Sequence, residues 1–504
     1  MLLVYRRIFP LLLIVGSTGL TGCFGSEEKT TTEVASDRIR IAMLQPPRAG
    51  LTPLSDDAFK LSRWSTSETL IVLDENGDAQ PALATAWQSI NDTTWRFTLR
   101  PDVRFHDGEP LTAAAVVNAL SAAMRAAPKP RILDGVTLHI SADGDHAVRV
   151  TTAIPDPLLP QRLSSPQLAI LSPNAYHEGR VDPIRHGSGP FVLTAVQGTS
   201  HTTLERFDGY WGTPAQASGL DVDFVPDGTA RFAALRSGSA DIVEAVPVAQ
   251  APLIDPALIH EVHMPRTNTL YLNTRLGPLR DAGLRAAVRD AVQRDVLVKN
   301  VYENRADIAH GLLGPALRWA APLRHAVDQP TPARHPQGAV IKLATFSDRA
   351  ELPEVAVYLA QQLTAAGFTV QQEVREYAQI EADPLAGKFD AFILSRATVL
   401  DSGDPVAYIY SDFSCKGSFN LSQLCDPTVD EALLTAAAIP AGEARRKAIM
   451  AAEQRILATD AAIPLLHERV IQGEATGVRQ AARDPRERML ITPQTHITRL
   501  IHQP

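Results

Sequence analysis

The stretch Trp95–Val117, WRFTLRPDVRFHDGEPLTAAAVV, decides the fold. It opens with an alternation that sets Trp95, Phe97 and Leu99 on one side and Arg96 and Thr98 on the other, the period-two signature of a half-buried strand. His106-Asp107-Gly108 then makes a tight turn, Pro110 follows, and Thr112 stands where a hydroxyl caps the first turn of a helix. Strand, turn and capped helix in so short a span point to an α/β chain.

The same reading extends outward. Ile39–Met43 is an apolar-alternating strand, and Thr94–Leu99, Thr137–Ile140 and Ala147–Val150 are strands around a helix over 112–125. Pro155, Pro157 and Pro160 predict an irregular crossing without regular structure. Strands return at 191–197 and 202–206, and Asp221–Val246 reads strand, helix, strand, its helix burying Phe232 and Leu235 and stopping at Gly238. Asn268–Thr274 reads as a short strand between irregular flanks, and 284–291 and 296–302 as helices. Val340–Phe346, Leu352–Ala366, Thr369–Val374 and Asp390–Ser395 alternate strand and helix, which predicts a mainly parallel sheet. Helices at 429–437 and 443–457 follow, then a strand at 463–470 and a final strand over Ile491–Ile501.

Several of these blocks, taken in order, resemble the signature of family 5 extracellular solute-binding proteins, the peptide- and nickel-binding receptors of ABC importers. They are ETLIVLDENGDAQPALATAW at 68–87, the opening stretch, GSGPFVL at 187–193, RFDGYWG at 206–212 and FNLSQLCDPTVDEAL at 419–433. The resemblance implies a two-lobed, periplasmic-binding-protein-like fold of cluster C. Lobe I is expected over 37–270 with an extra subdomain at about 75–185, lobe II over 271–470, and a return to lobe I over 471–504. Family members cross between lobes near Asn268–Thr274. Two hinged lobes of this kind close around a ligand.

The N-terminus carries Arg6 and Arg7 and an apolar run of signal-peptide length, too short for the roughly 20 residues that span a bilayer. Its ending, Leu20-Thr21-Gly22-Cys23, resembles a bacterial lipobox, so 1–22 is expected to be a lipoprotein signal peptide and Cys23 the lipid-bearing residue. The polar segment 23–36 is a flexible tether, giving a chain anchored to a membrane without being embedded in it. The location expected is the periplasm, tethered to the cell membrane or to the inner leaflet of the outer membrane; Phe24 rather than Asp follows Cys23. The whole chain has a net charge of −8, and residues 1–22 hold two Arg and no acid, so the remainder is more acidic still. Nucleic acid, which calls for a basic face, is not an expected partner. Cys415 and Cys425 remain, and in an exported chain this spacing favours a disulfide over a metal site, since no His lies between Asp404 and Pro464. Dipeptide-binding relatives carry a similarly placed pair.

No pattern of catalysis holds: there is no H-E-x-x-H, G-x-S-x-G, phosphate loop or G-x-G-x-x-G after a strand. His106 and His186 read as structural residues beside turns. A non-enzyme without cofactor or metal is expected. The resemblance points instead to Asp401, which precedes Gly403-Asp404-Pro405 in a loop after a buried strand. Peptide-binding members place an Asp there to capture the ligand's α-ammonium, and a desolvated cation needs such a carboxylate. Asp404 reads as the cap of the next helix. Arg396 stands near the point where the family often has Trp; facing the cleft it would hold a ligand carboxylate through two hydrogen bonds, or pair with Asp401 when the site is empty. Ser55 and Asp56 lie in a loop through which relatives offer backbone groups to the ligand. Trp64, Asn268, Tyr271, Tyr377 and Tyr408 are further cleft liners to consider, with a core role the stronger reading for all but Tyr377. The segment Leu163–Pro173 lacks the chelate-contacting Arg of nickel-binding relatives. The function expected is therefore a monomeric, lipid-anchored receptor that hands a small peptide-like solute to an ABC permease and its ATPase. A nickel or metal–opine cargo is the alternative; a periplasmic hydrolase and a non-transporting sensor or chaperone rank below it.

Overall fold

The structure is a computed structural model, and it describes residues 37–399 and 402–499. The leader, the tether with Cys23, and Asp401 lie outside the described residues.

Among the described residues eleven strands form one mixed sheet. Its order is Phe191–Gln197, His201–Arg206, Gly219–Phe224, Ile39–Met43, Ile242–Val243, Ala462–Glu474, Ile259–Leu272, Ala391–Ala397, Val340–Phe346 and Thr369–Arg375, with Ala306–Ile308 also on Ala462–Glu474. The first half is knit by parallel pairing of Ile39–Met43 with both Gly219–Phe224 and Ile242–Val243. The second half is parallel where Val340–Phe346 meets its two neighbours. Between the halves run two long antiparallel strands, Ile259–Leu272 and Ala462–Glu474.

Separate hydrophobic cores underlie the halves. One gathers Ile39, Trp64, Phe191, Leu204 and Leu220; another gathers Leu270, Leu343, Leu359, Ile393 and Leu465. Two α/β lobes result, joined through the long strands. Outside the main sheet, Ala84–Asn91, Thr94–Leu99, Ala147–Thr152 and Leu138–Ala142 form an antiparallel sheet in that order. Helix Ala113–Arg125 covers it, capped by Thr112, whose hydroxyl accepts from the Ala115 N–H at 3.1 Å. Phe97, Val116, Leu120 and Val148 close a core of their own there.

Three sequence blocks far apart in the chain meet at one carboxylate. Glu68 accepts hydrogen bonds from Ser188 Oγ (2.8 Å), Trp211 Nε1 (2.9 Å) and Tyr210 Oη (3.1 Å). Burial pushes its pKa up to about 7 despite those donors. Gly187 and Gly189 lie against the same loop, where an added Cβ would stand 2.0 Å from the carbonyl oxygens of Thr66 and Ser65. Only glycine fits so close an approach. His106 pairs with the Gly189 carbonyl at 2.8 Å, and burial drives its pKa down to about 4, so the ring is a neutral structural group.

Some expectations are corrected. Asn268–Thr274 is not an isolated short strand: Asn268 to Leu272 form the end of the long strand from Ile259. Pro265 interrupts that strand's hydrophobic pattern, and the ladder to the partner strand skips from His263 to Thr267. The Pro-rich segment after Ile154 contains a short helix, Leu159–Arg162, and two 3₁₀ turns at 166–168 and 173–175. The final strand is shorter than expected: among the described residues only His496–Ile497 is strand, paired with Val478–Arg479, while Ile491 and Ile497 pack on the core of Ile39, Trp64 and Phe191. The second half of the sheet is parallel as expected except at Ala391–Ala397, which pairs antiparallel with Ile259–Leu272.

Candidate functional site

A cavity of about 600 Å³ opens where the strands of both lobes end. Met43 and Leu44 close the carboxyl end of Ile39–Met43, Glu244 and Ala245 follow Ile242–Val243, and Arg396 to Val399 end the strand from Ala391. Ligands of α/β sheets sit at such carboxyl ends. Met264, Pro265 and Arg266, the residues skipped in the long ladder, form its floor with Val470 and Gln472. The remaining walls are helix Ala58–Arg63 with the preceding Asp56, Arg131 from the subdomain, and the loop Pro485–Arg488.

Charge dominates this lining. Among the described residues Lys60, Arg63, Arg131, Arg266, Arg396, Arg486 and Arg488 are the cationic members of the lining and Asp56, Glu244 and Glu487 the acidic ones. Arg63 pairs with Glu244 at 2.9 Å, and Glu244 also accepts the Leu44 N–H at 2.9 Å. Arg131 pairs with Asp56 at 3.2 Å on the rim. Other compensating acids stand behind the wall. Lys60 contacts Asp57 at 3.3 Å, and Asp57 is buried beneath the N–H groups of Arg48, Ala49 and Leu51. Burial alone would raise the Asp57 pKa, but those donors outweigh it and hold the carboxyl below its usual value. Arg266 lies 3.8 Å from Glu468, which accepts from Ser395 Oγ at 2.7 Å; burial depresses the Arg266 pKa and raises that of Glu468.

Arg396 is engaged inward. Its Nε and Nη2 donate to the two oxygens of Asp412 at 2.9 and 2.7 Å, and Tyr271 Oη donates to the same carboxylate at 2.7 Å. Asp412 is fully buried, and the guanidinium carbon lies 4.6 Å over the Phe419 ring. Burial raises the Asp412 pKa against the pull of Arg396. The two-point clamp expected for a ligand carboxylate is thus spent on Asp412, because the helix Val406–Phe413 brings that acid under the strand.

Of the residues singled out from sequence, Arg396 and Asp56 line the cavity together. Ser55 does not; its hydroxyl donates to Thr52 O and accepts the Asp57 N–H, shaping the turn. Asn268 is buried inside the long strand, its Nδ2 donating to Tyr302 Oη at 2.6 Å. Tyr377 packs edge-on against Phe346 at the start of a short helix and does not line the cavity, and burial lifts its pKa to about 12. Trp64, Tyr271 and Tyr408 belong to the cores. Asp404 accepts the Val406 N–H at 2.9 Å and is clamped by Arg445, the capping role read for it. Cys415 and Cys425 are joined by a disulfide between the helices Val406–Phe413 and Pro427–Ala438. Sequence reading missed Arg63, Glu244, Arg266 and Glu487. Glu244 was within reach, since it follows a predicted strand in the position where ligands bind; the others are assembled only by the tertiary fold.

Two lobes, a crossing pair of strands and a charged cavity between them define a solute-binding protein of the two-lobed kind. The chain belongs to the bacterial extracellular solute-binding proteins, family 5, whose sequence model matches residues 78–420. It is 27% identical over 253 residues to the probable D,D-dipeptide-binding periplasmic protein DdpA of Escherichia coli, covering 47% of this chain and 49% of that protein. It is 25% identical to the glutathione-binding protein GsiB of Pectobacterium atrosepticum, covering 58% of this chain and 60% of that protein. These alignments span about half the length of the curated relatives or slightly more. The crystal structure of a nickel ABC transporter protein from Bacillus halodurans shares the fold, with a TM-score of 0.79 at 23% identity, covering 92% of this chain and all of that one.

Proposed function

We propose that this protein is the substrate-binding component of an ABC importer and captures a small peptide-like solute between its lobes for delivery to a membrane permease. The observation that carries this reading is the cavity of about 600 Å³ at the converging strand ends, lined by groups of both charge signs. A zwitterionic solute needs both, and closure of the lobes strengthens each contact by excluding water. The residues Met264 to Arg266, unmatched by Ala462–Glu474 and paired only on the side of Ala391–Ala397, supply the place where the lobes bend. Asp401 follows the cavity-lining Val399 and is assigned the ligand's ammonium group. Arg396 supports the wall through Asp412 and does not clamp the ligand. The lipobox at Cys23 tethers the receptor beside its permease, and the receptor acts as a monomer without catalytic activity.

Small-angle scattering and calorimetry on the purified protein test this. A pool of di- and tripeptides is expected to contract the scattering envelope and release heat. Asp401→Ala is expected to weaken binding of peptides with a free amino terminus at least about tenfold, or 1.4 kcal/mol. An envelope that stays unchanged with every peptide pool, together with heat from nickel chelates alone, would overturn the reading in favour of a metal cargo.

A further inference from the structure

We propose that the tip of a hairpin on the first lobe, Asp74–Asp78, is an electrostatic latch that holds the two lobes together. This rests on the reading above only in that the lobes open and close; it requires no particular solute.

The hairpin pairs Ile71–Leu73 with Ala79–Pro81, and Ile71 is buried in the core of Phe97 and Val116, so its base is fixed to the subdomain. Its turn is shaped from within. Asp74 Oδ1 accepts the N–H groups of Asn76 and Asp78 at 2.9 and 3.0 Å, and Asp74 Oδ2 accepts Gln80 Nε2 at 3.2 Å. Gly77 completes the turn with φ 81°, its N–H on the Asp74 carbonyl. One carboxylate is committed to the turn; the other two reach the second lobe. Asp78 accepts from Arg446 Nη2 and Glu75 from Arg318 Nη1, and Arg446 Nη2 also donates to the Asn76 carbonyl at 3.2 Å. Arg446 stands on the helix Glu443–Ala458, whose Ile449 and Ile456 lie in the core with Leu343, and Arg318 adjoins Leu317 of that core. The surfaces also touch. A Cβ added at Gly403 would stand 2.7 Å from Leu73 Cδ1, and one added at Gly77 would stand 3.6 Å from the Gly403 carbonyl oxygen. A tip already held in shape gives up little conformational entropy when it docks.

The two ion pairs are unequal. The side chains of Arg446 and Asp78 are 19% and 39% exposed, those of Arg318 and Glu75 66% and 72%. Water and salt screen the outer pair more, so Arg446 with Asp78 carries most of the hold. The root of the hairpin meets the cavity. Arg486, one of the lining residues, donates from Nη2 to the Asp74 carbonyl at 2.5 Å and to the Leu73 carbonyl at 3.4 Å. A solute that displaces Arg486 therefore bears on the latch directly. Since both ion pairs are made by protein groups alone, they draw the lobes together in the free receptor as well as in the loaded one. In the loaded form they slow the exit of the captured solute.

The test is small-angle scattering on the protein without added peptide, in low salt and in about 0.5 M sodium chloride, where charges are screened within a few ångströms. The wild type is expected to be more compact in low salt than in high. Asp78→Lys is expected to shift the ratio of open to closed forms about fivefold toward open in low salt, the scale of one partly exposed ion pair. Arg446→Glu should do the same, both with unchanged melting temperatures, and Glu75→Lys should do less. Joining Asp78→Lys to Arg446→Glu remakes the pair with its signs exchanged and should restore the compact form. Profiles of Asp78→Lys that match the wild type in low salt would overturn the latch, as would a double variant no more compact than either single one. No peptide enters the measurement, so a failure of the peptide reading leaves these outcomes untouched.

Discussion

Asp412 offers the sharpest test of how the site is held. It is fully buried and receives three charged or polar donors, Arg396 Nε, Arg396 Nη2 and Tyr271 Oη, all within 2.9 Å. Asp412→Asn keeps the shape but removes the charge and turns one acceptor into an amide that faces a donor. The Arg396 guanidinium, itself 18% exposed and packed against Phe419, is then left without its counter-ion. Breaking a buried pair in this way costs about 3–5 kcal/mol, against about 0–1 kcal/mol for an exposed pair. The internal control is Asp56→Asn on the rim, where Arg131 and Asp56 are 51% and 62% exposed. Urea unfolding followed by circular dichroism reads both, and the expected difference between them is at least about 2 kcal/mol. The double variant Arg396→Met with Asp412→Leu is expected to cost less than Asp412→Asn alone, because it strands no charge. If the single substitution costs under about 1 kcal/mol, or the double variant is the worse of the two, the reading of Arg396 as an internally paired wall residue is wrong.

Further consequences can be measured. Glu68 has its pKa raised from 4.5 to about 7 in the folded protein, so between these values the folded state binds more protons than the unfolded one. Its contribution to stability is therefore present below the unfolded value and lost as pH rises through about 7, an amount of roughly 3 kcal/mol. Glu68→Gln should flatten this part of the pH–stability curve; an unaltered slope between pH 5 and 8 would refute the assignment. Replacing Cys415 and Cys425 by Ser opens a ten-residue separation and should cost about 2.5–3 kcal/mol at most on the chain-entropy model, read as a lower urea midpoint under oxidising conditions.

Much of the architecture was legible because it is local. Thr112 caps its helix as read, Gly238 stops another in the left-handed conformation, and the alternation near Val340 places three strands side by side. The long crossing strands were not legible as such, since Pro265 breaks the pattern in one of them and its register recovers only through partners some 200 residues away. The site was less legible than the fold. Arg396 was found, but its partner is set by a helix that packs beneath the strand, a relation no spacing encodes. Asn268 carries a polar side chain on a buried strand, and only the neighbouring Tyr302 explains it. Glu487 sits in a run of charged residues that reads as ordinary surface until the loop is seen folded into the cleft. The convergence of Glu68, Ser188, Tyr210 and Trp211 shows why widely spaced blocks belong together: they are contacts of a single acid.

The gap at Met264–Arg266 carries a mechanical consequence. A β-ladder resists flexing through its cross-strand bonds, and here a proline, which has no N–H to give, sits among three residues that Ala462–Glu474 leaves unmatched, held on the other side alone through Arg266 against Ala397 and the Pro265 carbonyl, which accepts the Thr398 N–H. Those same residues touch whatever fills the cavity. On the proposed function, sensor and joint would be one object, and no relay through distant packing would have to carry news of an arriving guest to the part that moves.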